Sequence, residues 1–221
     1  MWAFAATAGN RSWTLLERTR SCCAIGEATV GHNAVRDVLF EFASTADPAT
    51  EWEPEDLISS RPRARPADVL TPAAIAGRVA ALDVGIASPA TSLCGDAAED
   101  MFQRKTGERE DARAELEAQN IVYRPMIWTG FGRPHVAAEA VLKAIARRVA
   151  RRRGRTTVKA VLRQMRLAIS VCLARRAARM SLACWPRQLL RDGGSLSAEV
   201  SATHFEAEIQ SPARSGAEMW F

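Results

Sequence analysis

Asp68 and Asp83 are the residues on which chemistry can be built. Asp68 stands in Pro66-Ala67-Asp68-Val69-Leu70, a short run bounded by Pro66 and Pro72. Asp83 stands inside Arg78 to Ala87, which carries β-branched residues and stops at Ser88-Pro89. Both runs read as strands joined by a turn near Ala76-Gly77, and a turn within residues 72–78 sets the two carboxylates beside one another. Two such oxygen donors suit Mg2+, which binds through one or two carboxylates and keeps several waters. An ion held that way activates a water and stabilises the charge that develops on a phosphodiester under attack. A lysine that orients or deprotonates the water completes the set, and Lys105 is the only lysine in the first 142 residues. The plainer alternative is that Asp68 and Asp83 close strand ends or pair with Arg65 and Arg78, with Lys105 solvated on its helix.

The elements that must position these residues follow from periodicity. Val35, Val38, Leu39 and Phe42 recur at i, i+3, i+4 and i+7, which predicts an amphipathic helix over His32 to Ala43 with Asn33 as its cap. Asp47 to Arg65 is proline-bearing and charged and reads as a long loop. Ala97 to Gln119 is polar with a thin apolar face, a mostly exposed helix with a break at Gly107; Asn120 to Thr129 reads as a strand, and Gly130-Phe131-Gly132 as a turn. Pro134 to Arg153 reads as a helix with Val136, Ala140, Leu142, Ile145 and Val149 inward. Val158 to Leu182 reads as another, with Val161, Leu162, Met165, Ile169, Cys172 and Leu173 along one face. The predicted order is helix, strand, strand, helix, strand, helix, helix. Residues 1–30 read as a poorly determined lead-in, 31–156 as the main domain, 157–185 as a basic helical extension and 186–221 as a tail.

Charge is unevenly distributed. Of 221 residues with a net charge of +5, the segment from Arg133 to Arg191 holds 16 Lys and Arg against a single acid, Glu139. Such a block attracts polyanions, because each neutralised phosphate releases condensed counterions. DNA or RNA held by charge is the expected partner, with Arg147, Arg148, Arg151, Arg152 and Arg153 on the phosphate backbone and no base readout. A solvated face in an arginine-biased chain is the alternative. Basic clusters such as Arg147 to Arg155 also serve nuclear import, and five scattered cysteines fit a reducing, intracellular compartment.

Several classes fall away. Arginines interrupt every long apolar run, so no membrane span is expected. The apolar opening lacks a basic n-region, so no secretion signal is expected. Cys22, Cys23 and His32 lack zinc-ligand spacing. Gly130-Phe131-Gly132 lacks the context of a nucleotide loop. Asp37 and Glu41 share a helix face and read as surface residues, although Glu41 is placed to approach a metal from the first helix. His135 and His204 are isolated, and no Ser/His/Asp set can be assembled.

Arg65-Pro66-Ala67-Asp68-Val69 and Ala81-Leu82-Asp83-Val84 with Ser88-Pro89, preceded by Gly31 to Asp37, resemble the region that follows the reverse transcriptase in non-LTR retrotransposon polyproteins. Trp128 to Gly132 and Leu162 to Val171 extend the likeness over about His32 to Leu182. The resemblance implies a truncated C-terminal fragment with a restriction-endonuclease-like α/β fold, a mixed sheet flanked by helices. It also implies a PD-(D/E)xK metal site and metal-dependent DNA cleavage before reverse transcription. Asp68 then matches the first metal-binding acid and Asp83 the second. The family's lysine lies two residues after the second acid. Here that position is Gly85, which leaves Lys105 as its replacement, and Ala67 separates Pro66 from Asp68. No Tyr-x-Asp-Asp polymerase signature is present, and Tyr123 is the single tyrosine. The expectation is a Mg2+-dependent endonuclease-like domain, with a catalytically inactive nucleic-acid-binding or structural remnant as the alternative.

Overall fold

Glycine, more than proline, sets the hairpin turn: Gly77 stands between the two expected strands, whereas the first of them runs through Pro72 to Ile75 and the strand Ile121–Thr129 contains Pro125. The computed structural model describes residues 25–191 apart from 62, 89–94 and 109. Helix α1 (Ile25–Ala46) leads into a two-residue strand β1 (Glu51–Trp52), then β2 (Val69–Ile75) and β3 (Arg78–Ala87). Helices α2 (Ala97–Glu108) and α3 (Glu110–Ala118) precede β4 (Ile121–Thr129), and α4 (Val136–Arg153) and α5 (Val158–Arg191) follow it. The strands lie in chain order, β1 and β2 antiparallel, β2 and β3 antiparallel, β3 and β4 parallel. A parallel pair needs a crossover, and α2 with α3 supplies it. The protein is thus a mixed α/β chain whose four-stranded mixed sheet is flanked by helices.

Helices cover both faces of the sheet. On one face α1, α4 and α5 enclose a core of Val69, Leu82, Val84, Met126 and Trp128 with Leu39, Leu142, Ile145 and Met165. On the other, α3 covers Leu70, Ala81 and Ile121 through Leu116, while α2 covers Ala87 and Ile127 through Ala98. A strand covered on both sides reads as a near-continuous apolar run, which is how β3 reads apart from Arg78 at its start and Asp83. Gly77, at φ 71°, closes the β2–β3 hairpin in a conformation that side chains with a Cβ resist.

Four expectations change. Helix α1 starts seven residues before His32, and α5 packs against it from Gly31 onwards: a Cβ on Gly31 would meet the Arg176 stem, and the Cys172 thiol lies 3.7 Å from the Ala34 carbonyl. The loop from Asp47 contains β1, held to α1 by the Arg36 guanidinium 4.3 Å from the Trp52 ring centre and by Phe40 edge-on to Trp52. The inward row of α4 is Ala138, Val141, Leu142, Ile145, Ala146 and Val149, whereas Val136 is 76% exposed and Ala140 also faces out. Helix α5 is no appendage, since Val161, Met165, Ile169 and Leu173 belong to the same core as α1 and α4.

The chain divides into two units, Met1–Pro186 and Arg187–Phe221, and all packing described here lies in the first. The lead-in to residue 24, with Cys22 and Cys23, and the tail from 192, with His204, fall outside the described residues. Among the described residues no helix is long and apolar enough to cross a membrane.

Candidate functional site

Strand β3 outruns its neighbour. Its register with β2 begins at Val69↔Leu82, yet it continues beside β4 to Ala87↔Thr129. Residues 83–87 therefore border a notch on the side where β2 has not yet begun. Backbone groups facing such a notch need partners, and side chains provide them at Val84. The Val84 N–H donates to Asp68 Oδ2 at 2.6 Å, and Lys105 Nζ donates to the Val84 carbonyl at 2.9 Å.

The two acids are thereby drawn to neighbouring positions. Asp68 lies one residue before the first β2–β3 pair, and its own N–H donates to the Leu82 carbonyl at 2.8 Å. Its Oδ1 is 3.1 Å from His32 Nε2 on α1. Asp83 accepts from Lys105 Nζ at 2.6 Å through Oδ1 and from the Tyr123 hydroxyl through Oδ2. Neither Arg65 nor Arg78 takes part in these bonds; Arg65 is bound to Glu53 and Glu55. One connected set thus runs from His32 through Asp68, the Val84 peptide, Lys105 and Asp83 to Tyr123.

Lys105 reaches Asp83 because α2 is anchored at its other end. Asp96 caps that end by accepting from the N–H groups of Ala98 and Glu99, and Arg133 holds Asp96 at 2.6 Å. His135 Nδ1 accepts from the Ala137 N–H, so its proton sits on Nε2 and is donated to Glu99 at 2.8 Å. The same ring stacks on Phe102 with centroids 4.2 Å apart. Glycine at position 85 then leaves space beneath the lysine: a Cβ there would stand 3.2 Å from Lys105 Cε.

Burial pushes the Asp68 carboxyl up, but the His32 bond and charge, the Val84 N–H and the Lys105 charge outweigh it and hold it below its ordinary 3.8. A carboxyl depressed by folding contributes stability that is fully present above its unfolded value and is lost as pH falls through the folded one. The stability difference between wild type and Asp68→Asn is therefore expected to shrink as pH falls from about 4 to about 2. Urea unfolding across that range measures it, and a gap that widens towards acid would contradict the assignment.

As a metal site the cluster offers Asp68 and Asp83. Each carboxylate oxygen has one donor and retains a lone-pair direction, and the two side chains are 16% and 12% exposed, so water reaches them. Among the described residues no three His, Cys, Asp or Glu side chains gather as an ion cage. As a donor set, two carboxylates with water would suit Mg2+ rather than a closed zinc site; His32 holds Asp68 from the α1 side of the sheet, whereas Lys105 holds Asp83 from the α2 side.

The arginines lie elsewhere. Arg147, Arg148, Arg151, Arg152 and Arg153 occupy the end of α4, where Arg148, Arg151 and Arg152 border an open surface with Ala46, Ala76 and Gly77. Gly77 is about 20 Å along β3 from Asp83 at strand rise. Arg148 also faces Asp47 at 3.5 Å. The acidic pair and the arginine cluster are therefore separate surfaces.

His32 and Tyr123 carry parts of the site that motif reading passed over. The spacing from His32 to Val35 and Leu39 already puts the imidazole on the inward side of α1, and the strand period puts Tyr123 on the face of Ile121 and Ile127. Asp37 and Glu41 are exposed, and α1 reaches the acids through His32 instead. The chain matches no family model, no curated protein and no solved structure.

Proposed function

We propose that this chain is a restriction-endonuclease-like domain of retrotransposon type that hydrolyses DNA phosphodiesters with Mg2+. The observation that carries the reading is Lys105 seated on Asp83 at 2.6 Å with its stem over Gly85. A helix-borne ammonium occupies the ground that a strand lysine two residues after Asp83 would reach. The helix-flanked mixed sheet agrees with the fold that the resemblance implies. Asp68 and Asp83 would hold the ion, which supplies a Lewis acid and a water of lowered pKa. Lys105 spends two of its three N–H donors on Asp83 and Val84, which leaves the third for the attacking water or a phosphate oxygen. Tyr123 fixes the plane of the Asp83 carboxylate, and His32 does the same for Asp68.

Nicking of supercoiled plasmid tests this. Wild type is expected to form open circles only with Mg2+, and Asp83→Ala and Asp68→Ala to lose activity by about 100-fold or more. Undiminished activity in either variant removes that acid from the site. A second reading, a non-catalytic nucleic-acid binder, is favoured by the separation of the arginine cluster from the acids. It predicts no nicking by any of the proteins and DNA binding that weakens steeply with salt and on Arg151→Glu/Arg152→Glu.

A further inference from the structure

Helix α5 is apolar on two opposite sides, and among the described residues only one of them packs into the core. Val161, Met165, Ile169 and Leu173 face the core. At about 100° per residue, Ala160, Leu167, Val171, Ala174 and Ala178 fall within about 40° of the opposite direction, a straight row about 27 Å long, with Leu182 about 60° away on the following turn. Leu167 is 63% exposed, Val171 39% and Leu182 60%. Solvated helix faces are ordinarily polar, and an apolar row on one, unbroken from Leu167 to Ala178 and preceded by the exposed Gln164, marks a contact surface.

The residues beside the row define its partner. Helix α5 contains no Asp or Glu, and Arg163 and Arg175 flank the row about 60° to either side. Leu167, Val171, Ala174 and Ala178 alternate in steps of four and three, the seam of a paired helix, with Leu and a β-branched residue at its two kinds of position. Alanines in the middle lower the surface between Leu167 and Leu182, so that larger side chains of an opposing helix fit there. We propose that this face docks an amphipathic helix whose apolar seam is bordered by Glu or Asp.

Other occupants fit less well. A second copy in a two-fold contact would set arginine flanks against arginine flanks with no acid to separate them. A bilayer surface would gain insertion energy from only three large side chains. A nucleic-acid backbone has no use for Leu167 and Val171, because its affinity comes from phosphate charge.

The probe is a synthetic four-heptad peptide with Leu at a and d and Glu at e and g, titrated against the full chain by fluorescence anisotropy. It should bind, with affinity falling at least tenfold in Leu167→Ser/Val171→Ser and in Arg163→Glu/Arg175→Glu. The second variant should instead favour the same peptide carrying Lys at e and g. All four positions are exposed, so far-UV dichroism should not change; should the serine variant unfold, the charge swap alone decides. Equal binding of a peptide with Ser at a and d would reduce the effect to bare charge and overturn the proposal. So would sedimentation of the chain as a dimer that Leu167→Ser/Val171→Ser dissolves. Failure to bind the peptide alongside Leu167-dependent binding to phosphatidylserine vesicles, or to a short DNA duplex, would transfer the surface to that partner.

Discussion

Lys105→Met is expected to lower the unfolding free energy by about 3 kcal/mol and to abolish Mg2+-dependent nicking. The double variant Lys105→Met/Asp83→Leu should recover most of the stability and none of the activity. In the single variant Asp83, 8% exposed, keeps the Tyr123 hydroxyl but loses its cation, and the Val84 carbonyl loses a donor. Removing one member of a buried pair costs about 3–5 kcal/mol, chiefly through the uncompensated charge left behind. The side chains of Lys105 and Asp83 retain 20% and 12% exposure, which puts the effect at the low end of that range. Two apolar residues in their place bury no charge, so the deficit that remains is about 1 kcal/mol, chiefly for the Val84 carbonyl that loses the Lys105 donor. Urea unfolding gives each value as a shift in midpoint at constant slope. Additive costs in the double variant would mean that the pair is not coupled and that solvent already screens it.

Such a cycle separates holding the fold from doing chemistry, which the residues themselves do not. A buried ion pair is not evidence of catalysis, because structural networks also bury charge. What distinguishes this pair is its surroundings: side chains that keep 12–20% of their surface, a second carboxylate bonded to the next residue of the strand, and an ammonium with a donor to spare. The arrangement arises from unequal strand lengths. Were β2 to start earlier and pair with residues 83–87, the Val84 backbone would be satisfied by a strand, and Asp68 and Lys105 would have no place beside it.

Much of this was legible beforehand where the signal was local. Gly77 marks the turn between two runs, and the hairpin there places Asp68 near Asp83 from the sequence alone, although Pro72, read as a boundary, lies inside β2. Lys105 stood out because lysine is scarce there. Tyr123 did not, because its role depends on the parallel register Ala81↔Tyr123, which no spacing in the chain encodes. His32 showed only half of its signal: helical phase turned it inward, but its partner Asp68 is 36 residues away. Strand β1 is too short for any period and exists through Arg36 and Phe40 on α1. Two apolar rows on α5 blurred its periodicity, and basic composition suggested an extension where the core in fact closes. The arginine run was visible as charge, yet its distance from the acids follows from the direction in which α4 crosses the sheet.

The same substitution at two glycines should have opposite consequences. Gly107→Ala is expected to stabilise the protein by about 0.5–1 kcal/mol, since Gly107 lies in α2 with nothing within 4 Å of an added Cβ, and alanine restricts the unfolded chain. Gly85→Ala gains the same entropic benefit but meets Ile127 Cδ1 at 2.6 Å and Met101 Sδ at 2.9 Å as well as the Lys105 stem. Overpacking of that kind costs about 1–3 kcal/mol, so the net effect should be a loss of about 1 kcal/mol. The Ile127 and Met101 atoms belong to side chains that can turn aside, but Met101 and Lys105 share one helix, so relief there pushes α2 outwards and draws Nζ away from Asp83. Nicking should therefore fall in Gly85→Ala by more than its stability loss explains, at a temperature where the variant remains folded, and stay unchanged in Gly107→Ala. Equal stabilisation by both alanines would show that Gly85 is not holding room for Lys105 and that this lysine does not replace one on the strand.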